Sequence, residues 1–345
     1  MKDNLRRFRV VNLATLLAVF FLILVGSVVR VTESGMGCPD WPKCFGGYLP
    51  PSSVEELPSN YEDLFLEKRL AKTERLANTL NNVGLKGLAD KVESDDNIGV
   101  SHQYDPLSAW IEYLNRLLGA VIGLFMLAYG FYAVRLRKTH KIVTWWSVFG
   151  FILVLFQGWV GSLVVATNLI PGFISFHMGL ALLLVMVLVY TYFKAENNSD
   201  VLPIDKSRLK WMSLSLLMLM IPQIFMGTNV RELIDSLFIS GVEREGVMSS
   251  MNWVFYIHRS FSLVILLLSG YMLYYLYSNG LMKSKMGYVV LAVNGMVVIE
   301  AIGGAAMYYF AIPPSIQPLH LLTASVLFAA VYYLFLQTRL REVSL

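Results

Sequence analysis

Eight stretches of about 20 mostly apolar residues recur along the chain, and no other feature constrains its fold as strongly. They fall at roughly 10–30, 110–134, 142–166, 172–193, 209–227, 252–277, 286–310 and 316–338. About 20 residues of helix, at roughly 1.5 Å each, cross a hydrocarbon layer of roughly 30 Å. Composition agrees: 56% of the 345 residues are hydrophobic, only 15% are charged and the mean hydropathy is +0.57. Soluble domains carry about 25% charged residues, so lipid is the expected solvent. Basic residues precede the first stretch, as in a signal peptide. That stretch is long, however, Arg30 follows it and no small-residue cleavage pattern is present, so it reads as a retained helix.

Lysine and arginine set the expected orientation. They gather before the first stretch (Lys2, Arg6, Arg7, Arg9), after the second (Arg135, Arg137, Lys138, Lys141) and after the fourth (Lys194, Lys206, Arg208, Lys210). Lys283 and Lys285 follow the sixth, and Arg339 and Arg341 the eighth. The alternate connections are neutral, as at 311–315, or acidic, as in 31–108. This pattern predicts a multi-pass protein with both termini in the cytoplasm. Trp110 and Trp253 mark one interface, and Trp145, Trp146 and Trp211 the other. The formal charge of +4 is small and no basic tract points to nucleic acid. Segment 31–108 is the only sizeable part outside the membrane. From about Val54 to Lys91 it reads as charged amphipathic helix, either a solvated cap or spacer or a partner-docking surface. Cys38 and Cys44 precede it; prolines between them suit a small closed loop, structural or redox-active.

An internal repeat organises the chain. W-I-E-Y-L-N-R from Trp110 matches W-V-F-Y-I-H-R from Trp253 in Trp, Tyr and Arg, and the offset, 253 less 110, is 143. The same offset carries His177 onto His320, Gly161 onto Gly304 and Gln157 onto Glu300. G-S-V-V-R from Gly26 and G-T-N-V-R from Gly227 form a further pair at a longer offset, because the first half carries the extra outer loop. The expected fold is therefore an all-α integral membrane protein of eight transmembrane helices, arranged as two pseudo-twofold-related four-helix bundles. Its parts would be a first helix at 1–30, an extracytoplasmic loop at 31–108 and spans two to four at 109–194. A cytoplasmic linker at 195–208, a C-terminal half at 209–338 and a tail at 339–345 would complete it.

Five histidines sort themselves on this scaffold. His102 falls in the outer loop and His140 at the cytoplasmic edge. His177, His258 and His320 each lie a few residues into a helix entering from outside, roughly 5–12 Å deep, and Asn115 holds the fourth equivalent position. A lone membrane histidine is ordinarily a packed, hydrogen-bonded residue. Three at matching depth, related by a repeat, point to function. His258 and His320 can face each other across the C-terminal half, which suits two imidazoles on a heme iron. The residues do not name the metal, although the short ligand spacings of zinc sites are absent. His177 paired with Asn115 would ligate on one side only. Glu112, one turn from Asn115, reads either as an interfacial carboxylate or as a catalytic or substrate-positioning acid. Glu300, mid-span, suits a structural hydrogen bond or a proton path. Arg116 and Arg259, with Arg30 and Arg231, suit heme propionates or lipid headgroups.

At this point the motifs resemble the heme A synthase family. G-S-V-V-R-V-T-E-S-G-M-G-C-P-D-W-P-K-C-F-G from Gly26 is similar to the family's signature after its first helix. E-Y-L-N-R, F-H-M-G, I-H-R and P-L-H fall at the expected places in spans two, four, six and eight. The resemblance covers the chain except roughly 52–105, which looks like an insertion. It implies a bacterial cytoplasmic-membrane oxidoreductase that converts heme O to heme A by oxidising the ring's C8 methyl to a formyl group. It implies a heme b cofactor on His258 and His320, with Arg259 beside it, and a substrate heme O site formed by His177, Asn115 and Arg116. Glu112 matches the family's acid, and Cys38 and Cys44 its outer cysteine pair. The family usually has a histidine where this chain has Asn115, which leaves His177 as the candidate axial ligand of the substrate iron. In the implied mechanism electrons pass from the heme b half to the substrate side, and the methyl is hydroxylated twice before losing water. A homo-oligomer, or a complex with the preceding heme O synthase or the terminal oxidase, is compatible with this reading. Two other classes stay open: a di-heme, quinone-linked electron carrier and a heme transporter or chaperone.

Overall fold

The computed structural model describes residues 2–35, 37–38, 40–82, 84, 86–94, 103–166, 172–196 and 206–339. His102 and most of the expected linker and tail lie outside them. The membrane stretches form α1 (Lys2–Val31), α4 (Pro106–Arg135), α5 (Lys141–Ala166), α6 (Phe173–Ala195), α7 (Lys206–Ile239), α9 (Trp253–Ser278), α10 (Lys285–Tyr309) and α11 (Ile316–Thr338). Among the described residues three shorter α-helices lie between them: α2 (Tyr61–Asn82), α3 (Lys86–Glu93) and α8 (Arg244–Val247). All eight long helices can cross a membrane by length and composition. Only 17% to 44% of each one's most apolar window is buried within the protein, so most of that apolar surface needs a non-aqueous solvent. Leu124, Leu267 and Trp145 are among the outward-facing side chains. The chain is a multi-pass helical membrane protein.

Local chemistry sets the helix ends. The Asn252 side chain accepts from the backbone N–H groups of Val254 and Phe255 and starts α9; Ser284 accepts from Gly287 and starts α10. The main departure from expectation is α7, which continues from the predicted end near 227 to Ile239. Thr228, Asn229, Arg231, Glu232 and Asp235 lower hydropathy there, so a hydrophobicity argument stops early. The apolar residues keep a helical period, and Ile234 packs into a cluster with Val247, Met251 and Ile312.

The chain divides into two compact units. One comprises Met1–Leu24, Phe125–Phe151 and Leu182–Leu345. Within it α7 packs on α9 and α11, and α10 packs on the same two helices, which closes a four-helix ring. α9 and α11 therefore occupy opposite corners. Leu216, Met272, Val290, Val293, Val331 and Leu334 fill the core at one end of this bundle. In the same unit Asn12 donates to the Thr191 hydroxyl at 2.9 Å, and the Tyr129 hydroxyl lies 2.8 Å from it; this buried polar contact joins α1, α4 and α6.

The second unit comprises Val25–Leu124 and Ile152–Ala181. Its tightest element is the loop closed by the Cys38–Cys44 disulfide. Cys44 and Gly47 exchange both backbone hydrogen bonds around Phe45 and Gly46, at φ +51° and +86°. That two-residue turn needs left-handed backbone, which glycine supplies freely and phenylalanine does not. The Asp40 carboxylate holds it by accepting from Phe45 N–H at 2.7 Å and Gly46 N–H at 2.9 Å.

Candidate functional site

In the C-terminal bundle His258, His320, Gln223 and Glu300 lie toward the end away from the apolar core of Leu216, Met272, Val331 and Leu334. His258 is near the start of α9 and His320 near the start of α11, while Gln223 and Gly227 lie late in α7 and Glu300 and Gly303 late in α10. The ring puts α9 against α7 and α11 against α10, so each histidine meets a polar residue and a glycine from its neighbour. Nδ1 of His258 lies 3.1 Å from the Gln223 carbonyl oxygen. A carbonyl only accepts, so Nδ1 carries the proton and Nε2 keeps its lone pair. The Gln223 amide donates in return to the His258 carbonyl at 3.0 Å. Nδ1 of His320 lies 2.9 Å from a Glu300 carboxylate oxygen, a close contact without hydrogen-bond alignment. Glycines make room for both rings. A Cβ on Gly227 would sit 3.1 Å from Cε1 of His258, and one on Gly303 would sit 3.3 Å from Nδ1 of His320.

These residues fit an iron that arrives with its own ring of donors. The two histidines come from opposite helices and lie within electrostatic reach of each other. Each has its Nδ1 beside an acceptor, the arrangement that orients metal-binding imidazoles. Among the described residues no group of three or more His, Cys, Asp or Glu comes together to hold a bare ion.

The other unit repeats part of this construction around His177. The Gln157 amide of α5 donates to the His177 carbonyl at 3.0 Å, and a Cβ on Gly161 would lie 3.2 Å from Cε1 of His177. Gln157 and Gly161 thus stand to His177 as Gln223 and Gly227 stand to His258. Asn115 has Gly26 of α1 as its small neighbour, with its Oδ1 3.9 Å from where a Cβ would be. Three buried polar atoms here, Asn115 Oδ1, His177 Nδ1 and Gln157 Oε1, make no protein hydrogen bond. Such atoms suit a site that takes a polar or metal-bearing ligand.

Glu112 is buried at 2% exposure. One of its oxygens pairs with Arg116 and the other accepts from the backbone N–H groups of Gly37 and Cys38, the latter at 3.1 Å. Its immediate effect is to tie the disulfide loop to α4. Gly37 permits the approach, since a Cβ there would come within 2.6 Å of Ala109 Cα. Arg116 also lies over the Trp41 ring at 6.0 Å. Arg259 is exposed and lies 5.5 Å over Tyr308. Arg231 is held by Gln317 and by Asp235, the latter at 2.6 Å.

Sequence reasoning missed Gln223, although its signal was legible. Q-x-x-x-G occurs in both α5 and α7, one helical turn apart each time. The 143-residue offset hid it by pairing Gln157 with Glu300. The same offset mapped Gly161 onto Gly304, whereas Gly303 is the residue that meets His320.

Fold and site together define a class: a polytopic helical membrane protein with histidines seated beside glycines of neighbouring helices. A family model described as cytochrome oxidase assembly protein matches residues 9–65 and 92–332. The chain belongs to this family, the heme A synthase family. A heme A synthase of Ehrlichia canis is 22% identical over 342 residues, covering 92% of this chain and 89% of that protein. One from Wolbachia sp. subsp. Brugia malayi is 23% identical over 337 residues, covering 90% and 91%. A third, from Shewanella oneidensis, is 26% identical over 178 residues, which are 51% of this chain and 42% of the relative. Against that relative the chain spans less than half the length.

Proposed function

We propose that the chain is a heme A synthase of the bacterial cytoplasmic membrane, with both termini in the cytoplasm, which oxidises the C8 methyl of heme O to a formyl group. The observation that carries the reading is an asymmetry among the described residues: two imidazoles at opposite corners of the C-terminal bundle, against the His177 imidazole and the Asn115 amide in the other unit. A bis-imidazole iron is saturated and suits electron transfer, while an iron held from one side keeps a face for chemistry. Family membership supplies the matching context.

In this reading His258 and His320 would hold a resident heme b, with Arg259 available to its carboxylates, and the heme b would supply a one-electron relay. Gln223 and Glu300 set the orientation of its two imidazoles. The other unit takes heme O as substrate, with His177 as its axial ligand and Asn115 and Arg116 beside the porphyrin. Converting methyl to formyl removes four electrons, which an oxidant from outside the chain must take up, and releases protons, so a carboxylate near the reacting carbon is useful as a base. Glu112 is the candidate. Arg116 and the loop amides hold it, so it exchanges a proton only by loosening one of those contacts.

The test is chromatography of hemes extracted from cells that express the chain with a heme O supply. Heme A and hydroxylated heme O should appear with the wild-type chain and vanish with His177→Ala. A folded, heme-loaded protein that yields only heme b and unchanged heme O would instead support an electron carrier.

A further inference from the structure

The geometry points to Arg231 and Gln317 as a latch on the C-terminal bundle: their contact ties α7 to α11 just beyond the two histidines, and it parts to let heme b enter or leave. This rests on the reading of His258 and His320 as the heme b site, and it concerns access to that site rather than its ligands.

Helix register sets the level of the latch. On α7, Gly227 makes room for the His258 ring, and Arg231 follows four residues later, about 6 Å further from the apolar core. On α11, Gln317 precedes His320 by three residues, about 4.5 Å in the same direction. An Arg231 guanidinium N–H donates to the Gln317 side-chain oxygen, and a guanidinium nitrogen lies 2.6 Å from Asp235, one turn further along α7. The Gln317 amide donates to the Ile312 carbonyl at 3.2 Å, which also accepts from Arg244 at 2.9 Å. Ala311 and Ile312 stand at φ +51° and +56°, a conformation that a β-branched residue rarely adopts. Burial of Ile312 among Ile234, Val247 and Met251 holds it there. The loop before α11 therefore fixes the Gln317 side of the latch.

The bundle has four seams between neighbouring helices, and contacts of the histidines span two of them: Gln223 with His258 across α7 and α9, and Glu300 with His320 across α10 and α11. At the level of the latch, Phe255 and Tyr308 close the α9–α10 seam, stacked with centroids 5.9 Å apart and planes 14° apart. Parting those rings loses packing that nothing replaces. Arg231 and Asp235 are partly exposed, so water can take over the hydrogen bonds of a parted latch. The far end of the bundle is filled by its apolar core. The α7–α11 seam is thus the one that opens most readily.

The experiment follows heme leaving the purified, heme b-loaded protein for serum albumin, and reads both the rate of transfer and the final partition. The latch is made by protein groups alone, with or without the ring, so it changes the rate and cancels from the equilibrium. Gln317→Met should release heme about tenfold faster, the effect of one charge-assisted hydrogen bond, with partition and heme absorbance unchanged. Arg231→Met should do the same, and the double variant should do no more than either alone. Gln337→Met, at the other end of α11, should change nothing. Should Arg231→Met fail to fold, Gln317→Met carries the test. An unchanged release rate in Gln317→Met would overturn the inference. A partition that shifts in step with the rate would overturn it too, by making the pair a support for the bound ring. An effect of Arg231→Met alone would assign Arg231 to the heme carboxylates and likewise remove the latch. Wild-type protein that carries no heme b, or heme absorbance that survives His258→Ala, would instead overturn the parent reading.

Discussion

His258 and Gln223 exchange hydrogen bonds: the imidazole Nδ1–H donates to the Gln223 carbonyl at 3.1 Å, and the Gln223 amide donates to the His258 carbonyl at 3.0 Å. The exchange fixes ring plane and tautomer at once. It works because Gly227, one turn further along α7, lets the ring lie against the helix. Gly227→Ala should therefore tilt His258 and lower the heme content of the purified protein several-fold, while Gly270→Ala, whose Cβ would meet nothing within 4 Å, should not. Heme-to-protein stoichiometry reads the difference. Equal heme content in both variants would mean that the ring tolerates displacement.

Glu300 lies 2.9 Å from Nδ1 of His320, where it would orient that imidazole in the proposed heme site. Glu300→Gln removes the charge and keeps the shape. It should reduce heme retention on dilution about tenfold or more, the range found for outer partners of metal-bound histidines. Gln157→Glu should not change retention at His258 and His320. Loss of heme over time, followed by transfer to an apo-globin acceptor, would show it.

Gly37 meets Ala109 so closely that a methyl group there would overlap backbone. Gly37→Ala should push the disulfide loop off α4 and strip Glu112 of two N–H donors, a destabilisation of about 2–3 kcal/mol. Gly87→Ala, an exposed position in α3 with nothing near its Cβ, should be neutral or slightly stabilising. Thermal unfolding in detergent, with limited proteolysis near the loop, compares them.

Asp40 carries the pH dependence of the loop. Burial raises its pKa, but hydrogen bonds from Gly46 N–H, Lys68 and Phe45 N–H outweigh this and hold it below the ordinary value of 3.8. A folded-state pKa below the unfolded one means the stabilisation is complete above about pH 4 and is lost as pH falls through the lower, folded value. Acidification into that window should loosen the loop in the wild-type chain. Asp40→Asn should loosen it at neutral pH by about 1–2 kcal/mol and abolish the acid dependence. Proteolytic susceptibility of the loop across pH 3–7 measures both; an unchanged acid profile in Asp40→Asn would remove Asp40 from the account.

The eight spans were legible in the sequence because hydropathy and length are properties of a continuous stretch, and lipid reads them one helix at a time. The same holds for the small closed loop at Cys38 and Cys44, whose residues are near neighbours in the chain. Candidate histidines were legible too, since imidazoles in apolar stretches are conspicuous. What only the tertiary structure decided is which side chains meet across helices. The end of α7 at Ile239 depends on packing against Val247 and Ile312, not on hydropathy. Gln223, rather than a residue found by the repeat offset, seats His258 because α7 is the helix beside α9. Glu112 holds a loop whose residues lie more than 70 positions away, and α2 reaches the same place through contacts with Asp40 and Leu163. Such relationships depend on helix register and neighbour choice, set by the packing of the whole chain; a local pattern such as Q-x-x-x-G can single out a residue but not the histidine it meets.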